Sequence, residues 1–261
     1  MIAKVKFQKK ILNFYLERHS DFAAFYQVFV SKSYPNLMVK IQKGDVVIDA
    51  GANIGVFTII ASTLTGTNGK IIAIEPDPGN IKILKNNIKL NNLKNVEIID
   101  KALYRESGKK IKFNLNDVKI ITDKKEEGTK NIEVETTTFD DIITQRAIQP
   151  HVLKMDIEGA EKFALLSAEN TMKTLNYFEG EIHSREDFDV LMNFSSLFSF
   201  KREPIESMHN VFSFSIKHPL KILKLEFYNK FRTTRRVILS SVHHSRPSEY
   251  PIIIVGERLF Q

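Results

Sequence analysis

Cysteine is absent from the 261 residues. Disulfides, thiolate-bound zinc, iron–sulfur clusters and thiol nucleophiles are thereby excluded. The seven histidines show no paired metal-ligand spacing, and no metal is assigned from the sequence. No run of 18 or more apolar residues occurs, so no transmembrane helix is expected. The start, MIAKVKFQKKILNFYLERHSDF, has basic residues but neither an uninterrupted apolar core nor a small-residue cleavage site. No cleaved leader is expected, and the cytoplasm is the expected compartment. Internal repeats and low-complexity linkers are also missing. What is present, 43% hydrophobic and 26% charged residues, suits one large globular domain or one domain with a small appendage.

The net charge of +7 comes from 38 basic and 31 acidic residues, and it is unevenly placed. Residues 217–246 hold eight basic groups and one acid, Glu226, a surplus of seven that equals that of the whole chain. The remainder is neutral in sum, although residues 1–10 carry four lysines and no acid. Within the basic segment Leu220, Leu223, Phe227 and Phe231 recur at spacings of three and four, with Lys221, Lys224 and Lys230 between them. That pattern predicts a basic amphipathic helix. Its apolar stripe is expected to pack on this domain or on a second subunit. Its charge is expected to meet a polyanion or an anionic membrane surface, so peripheral membrane contact is part of the expected localisation.

Residues 7–30 predict one or two helices, from Phe7, Ile11, Phe14 (or Tyr15) and Phe25, Val28, Phe29, with Ser20-Asp21 capping the second. Ser33-Tyr34-Pro35-Asn36 predicts a turn, and Val39 and Ile41 a short strand. An alternation then begins. Val46–Ala50, Lys70–Glu75 and Asn95–Ile99 predict buried strands; residues 54–63 and 80–92 predict the helices between them. Three such units argue for a doubly wound α/β sheet. Residues 111–138 predict an antiparallel insertion, and residues 139–147 a short helix. His151–Asp156 predicts a fourth parallel strand followed by a helix over 160–168, and Tyr177–His183 a fifth strand. Asn210–Ile216 and Pro251–Gly256 predict the last two. The expected division is an N-terminal helical extension, 1–42, and an α/β domain, 43–261, with a basic insertion at about 217–246.

The first of these strands ends in Asp49-Ala50-Gly51-Ala52-Asn53-Ile54-Gly55. It is not G-x-G-x-x-G, because Asn53 replaces a glycine and Gly55 comes one place early, which argues against a dinucleotide. Gly51 and Gly55 let a backbone approach closely. Asp49 suits the ammonium of an amino-acid moiety, and Asn53 offers both a donor and an acceptor. Glu75, 26 residues on, ends the second strand, where a carboxylate accepts both hydroxyls of a ribose. Asp100 follows the third strand and suits an adenine amino group, with Ala102 beside it. Acids at three adjacent strand ends fit a ligand with ribose, adenine and positive charge, and S-adenosylmethionine has all three.

Met155-Asp156-Ile157-Glu158-Gly159-Ala160-Glu161 closes the fourth strand, beside the point where strand order reverses. Glu179, Glu181 and His183 alternate along the fifth, which predicts His183 beside Asp156. A histidine oriented by a carboxylate can take a hydroxyl proton, so His183 is the expected base and Asp156 the positioner, or the reverse. Asp156, Glu181 and His183 also have donors suited to a divalent metal, but no spacing compels one.

Taken together, these blocks resemble the FkbM family of S-adenosylmethionine-dependent methyltransferases. The carrying segments are VVIDAGANIGVFTIIAS (46–62), residues 71–103 with EPDP, TTFDDI (137–142), LKMDIEGAEKFALLSA (153–168) and EGEIH (179–183), in the family's order. The resemblance covers about residues 43–185. It implies a Rossmann-like class I methyltransferase fold, a mostly parallel seven-stranded sheet with helices on both faces. It also implies O-methylation of a hydroxyl on a sugar, glycolipid or related metabolite, a small-molecule or glycan acceptor. Cofactor positions implied are Asp49, Gly51, Asn53, Gly55, Glu75 and Asp156. The alternative is an RNA methyltransferase with residues 217–246 as its RNA contact. Against it, Asp156-Ile157-Glu158-Gly159 stands where base N-methylating enzymes often carry an Asn/Asp-Pro-Pro-aromatic loop.

Overall fold

A computed structural model describes residues 1–29, 34–114, 119–120, 131–203 and 252–259. The chain opens with an antiparallel hairpin, β1 (Ile2–Phe7) and β2 (Lys10–Tyr15), followed by α1 (His19–Phe29) and α2 (Pro35–Lys40). Next come β3 (Val46–Ala50), α3 (Val56–Thr65), β4 (Lys70–Ile74), α4 (Pro78–Leu90) and β5 (Val96–Ile99). The insertion holds β6 (Ala102–Leu103), β7 (Lys110–Asn114), β8 (Lys119–Ile120) and β9 (Asn131–Thr137). Then follow α5 (Phe139–Arg146), β10 (Val152–Met155), α6 (Glu161–Leu165), α7 (Glu169–Thr174), β11 (Tyr177–Ile182), α8 (Arg185–Leu191), β12 (Phe198–Glu203) and β13 (Ile252–Arg258).

Seven strands form one sheet in the order β12-β13-β11-β10-β3-β4-β5. β13 runs antiparallel to both neighbours, and the other six share one direction. Alternate residues feed two cores. Ile48, Ile72, Leu153 and Phe178 pack beneath α5–α8, whereas Val47, Ile71, Val152 and Tyr177 pack with Leu37, Phe57 and Ala61 of α2 and α3. This is the expected mostly parallel sheet covered on both faces, and burial on both sides explains why its strands are continuous apolar runs. From β3 the chain winds outward through β4 and β5, then returns to β10 on the other side. The switch point is therefore between β3 and β10.

The expected helical extension over 1–42 is corrected at its start. Residues 2–15 are the hairpin, and helix begins only at His19. Spacings of three and four are ambiguous in short runs; here period two wins. Leu12, Phe14 and Leu16 are buried while Ile11 is exposed, and Gln8, in the left-handed region at φ 52°, makes the reversal. Asn87 of α4 and Asn91 at its C-cap bind the hairpin's backbone at Tyr15 and Asn13, with Asn87 Oδ1 2.5 Å from the Tyr15 amide nitrogen. Asp21 sits inside α1 and accepts from the amides of Glu17 and Arg18, at 2.8 Å each. α2 replaces the expected turn and strand at 33–41. Proline is preorganised for a first helical turn, and Leu37 and Ile41 are buried while Val39 is exposed.

Ahead of β13, the sheet's edge strand is β12, which the sequence pattern did not flag. The strand expected over 210–216 and the basic helix over 217–246 lie outside the described residues. Among the described residues no helix is long and apolar enough to cross a membrane.

Candidate active site

β3 ends in a loop that requires glycine at two positions. Gly51, Asn53 and Gly55 all have φ between 51° and 85°. A β-carbon on Gly51 would fall 1.7 Å from the carbonyl oxygen of Asp156, and one on Gly55 would fall 2.3 Å from Leu84 Cδ1. The loop is pressed against the end of β10 on one side and α4 on the other. A cleft with about 960 Å³ of empty space, open mouth included, lies outside the strand ends. Gly51, Asn53, Glu75, Ala102 and Asp156 line it. Asp49, Gly55, Asp100 and His183 do not.

Glu75 is almost fully buried. Its oxygens accept from the amides of Asn53 (2.8 Å) and Asp77 (2.9 Å) and from Asn80 Nδ2 (3.3 Å). Burial raises its pKa and those hydrogen bonds offset it in part, leaving it at about 7. Asn53 thus serves the site through its backbone, which fastens the β3 loop to the end of β4. Asp49 differs from expectation. It lies inside β3, wholly buried, where Thr58 Oγ1 donates to it and Lys154 Nζ pairs with it at 3.4 Å. Lys154 is buried in β10 and also donates to the carbonyls of Ala50 (3.2 Å) and Gly51 (2.7 Å). Burial acts to lower its pKa, but the charges of Asp49 and Asp156 outweigh that and raise it. Asp49 therefore acts on the loop through Lys154. A lysine in the apolar run Val152-Leu153-Lys154-Met155 was the sequence signal for this pair. Asp100 is exposed beyond β5.

At the far end of the cleft the structure brings Asp156, Glu158 and His183 together, one donor atom of each lying within 4.8 Å of the others. Tyr34 Oη donates to Asp156 Oδ2 at 2.7 Å. His183 Nδ1 is 2.8 Å from Oε1 of the buried Glu161, and its Nε2 is 3.5 Å from Glu158 Oε2. Burial alone would lower the His183 pKa. The hydrogen bond and charge of Glu161, with Asp156 and Glu158, raise it to about 9. Glu181 also faces this group; burial and the Asp156 charge push its pKa up to about 7.

A family model described as the methyltransferase FkbM domain matches residues 49–214, from Asp49 past His183. The chain belongs to the FkbM methyltransferase family. No curated protein sequence matches it. Among solved structures it is similar to a provisionally assigned rRNA methylase from Clostridium thermocellum, at 11% identity and TM-score 0.49, covering 88% of this chain and 95% of that one. It is also similar to an rRNA methylase from Streptococcus thermophilus, at 10% identity and TM-score 0.46, covering 94% and 99%. TYW2 of M. jannaschii, solved with AdoMet, is similar at 14% identity and TM-score 0.45, covering 98% and 85%. Part of this FkbM methyltransferase's cleft comes from outside the matched segment: Ala24, Val28 and Tyr34 line it too. Nothing in the sequence around Tyr34 marked it for the site.

Proposed function

We propose that this FkbM methyltransferase binds S-adenosylmethionine in the cleft and methylates a hydroxyl oxygen on a sugar, glycolipid or related metabolite. The observation that carries the reading is that Gly51, Glu75 and Asp156, from three adjacent strand ends, line one cavity at the sheet's switch point. The chain fits such a ligand. The Gly51 loop offers bare backbone, Glu75 keeps lone pairs for ribose hydroxyls, and Ala102 leaves room on the adenine side. Asp156 Oδ1 is buried and accepts no hydrogen bond from the described residues. Bound there, S-adenosylmethionine supplies an electrophilic methyl group on a sulfonium. The chain's part is to hold the acceptor in line with it and to take the hydroxyl proton on one of the groups clustered with Asp156 at the ends of β10 and β11.

The turn after β10 supports a hydroxyl over a base nitrogen as acceptor. Glu158, at the second proline position of such a loop, has φ of 54°, which proline, fixed near −65°, does not adopt. A Pro-Pro loop of the N-methylating kind has no place there. The second reading, an RNA acceptor, rests on the eight basic groups at 217–246.

Calorimetry tests the cofactor: S-adenosylmethionine or S-adenosylhomocysteine should bind, and Glu75→Ala should weaken binding at least tenfold, while a wild type that binds neither rejects the reading. Transfer of labelled methyl into fractionated extract tests the acceptor. Label in glycolipid or small metabolites supports the first reading, and label in RNA overturns it in favour of the second.

A further inference from the structure

We propose that Asp156, Glu158 and His183 form a binding site for one divalent transition cation beside the transfer point. The inference deepens the methyltransferase reading and rests on it for its purpose, though not for its geometry.

Two carboxylates and an imidazole converge, with donor atoms within 4.8 Å of one another. Bound to a cation at about 2.0–2.2 Å each, such donors sit roughly 3–3.5 Å apart, so side-chain adjustments of about an ångström close the set. Two observations lie outside the mere gathering of charge. The first is the orientation of His183. Its Nδ1 is tied to Glu161, a wholly buried carboxylate whose same oxygen, Oε1, is fixed by the amides of Ile157 (3.3 Å) and Gly159 (3.2 Å). A ring nitrogen held on a buried carboxylate, with the other turned toward the open side, is the arrangement that orients metal-binding histidines. Here the other nitrogen, Nε2, faces Glu158.

The second is Asp156. Tyr34 satisfies its Oδ2, while its Oδ1 is buried with no hydrogen-bond donor among the described residues. A buried anionic oxygen without a donor is costly, and a cation is the partner that removes the cost. Asp156 and Glu158 both line the cleft, so a cation between them has open positions toward it. A hydroxyl or vicinal diol of the acceptor would fill those positions. Mixed oxygen and imidazole donors favour Mn²⁺ or its neighbours over Ca²⁺, which takes oxygen alone.

The test is titration of the chelator-treated full chain with Mn²⁺, followed by the loss of the free-ion electron paramagnetic resonance signal. One Mn²⁺ per chain is expected. Glu158→Gln, at a half-exposed position where folding is not at stake, should weaken binding at least tenfold. Glu161→Gln, which touches no cation, should weaken it about tenfold by releasing the ring. Failure of the wild type to bind at millimolar Mn²⁺ overturns the proposal, as does binding that Glu158→Gln and His183→Gln leave unchanged. Calorimetry with S-adenosylhomocysteine on the same preparation separates the two claims. Cofactor binding without Mn²⁺ binding sinks the cation alone; Mn²⁺ binding without cofactor binding sinks the methyltransferase reading alone.

Discussion

Tyr34 Oη lies 2.7 Å from Asp156 Oδ2, so a residue outside the FkbM-matched segment holds the acid at the end of β10. The phenol is buried, and burial together with the Asp156 charge keeps it protonated, its pKa well above 10. Tyr34→Phe deletes this donor and leaves both oxygens of Asp156 without one. A hydrogen bond to a charged group contributes about 1.5–3 kcal/mol, so kcat should fall by roughly tenfold or more. S-adenosylmethionine affinity should move far less, because phenylalanine keeps the ring that lines the cleft and removes only the hydroxyl bound to Asp156. Steady-state kinetics with calorimetry separates the two effects, and an unchanged kcat would remove Tyr34 as a positioning residue.

Gly51 and Gly159 make a matched pair. Both have positive φ, 76° and 88°, but a β-carbon on Gly51 meets the Asp156 carbonyl at 1.7 Å, whereas one on Gly159 meets nothing within 4 Å. Gly159→Ala should cost only the left-handed penalty, about 1–2 kcal/mol. Gly51→Ala should cost more than about 4 kcal/mol or prevent folding, since the β3 loop and β10 must separate. Urea unfolding of both variants checks the difference.

The Asp49–Lys154 pair is buried on both sides. Lys154→Met should destabilise the fold by about 3–5 kcal/mol, because it leaves the Asp49 carboxylate in the core without its counter-charge. Adding Asp49→Asn should recover a large part of that loss. A double-mutant cycle read by urea denaturation measures it, and additive losses would contradict the pairing.

Glu75 sets a pH dependence opposite in sign to that of an ordinary salt-bridged carboxylate. Its folded pKa, about 7, lies above the ordinary glutamate value of 4.5. The folded state therefore binds the extra proton between those values, and stability falls as pH rises. The contribution is whole below about pH 4.5 and lost above about pH 7, roughly 3 kcal/mol across the window. Glu75→Gln should flatten the pH 5–7.5 stability slope measured by thermal or urea unfolding of the cofactor-free protein.

The order β3-α3-β4-α4-β5 and the strands β10 and β11 were legible because each is a short apolar run closed by glycine or polar turn residues, the pattern that burial on both faces demands. The hairpin at 2–15 was not. Phe7, Ile11 and Phe14, spread over two six-residue strands, also satisfy a helical spacing, and strand pairing together with contact to Asn87 and Asn91 selects the extended form. β12 was missed for a similar reason. Ser199, Lys201 and Arg202 dilute its apolar residues, and pairing with β13 supplies what its own sequence lacks.

By itself the sequence determined the ordered acids and glycines of the DAGANIG, EPDP and KMDIEGAE blocks, and with them the winding of the sheet. Local propensity and burial act on neighbouring residues, and neighbours are what a sequence displays. Tertiary structure alone decided which of those acids serve the cleft and which serve the core. Asp49 was drawn inward to Lys154, 105 residues later, and Asp156 was joined to Tyr34, 122 residues earlier. His183 was fixed through Nδ1 to Glu161, 22 residues earlier. Each outcome depends on the electrostatics of a buried pair, and a buried charge takes its partner from whatever the fold sets beside it, at any distance along the chain.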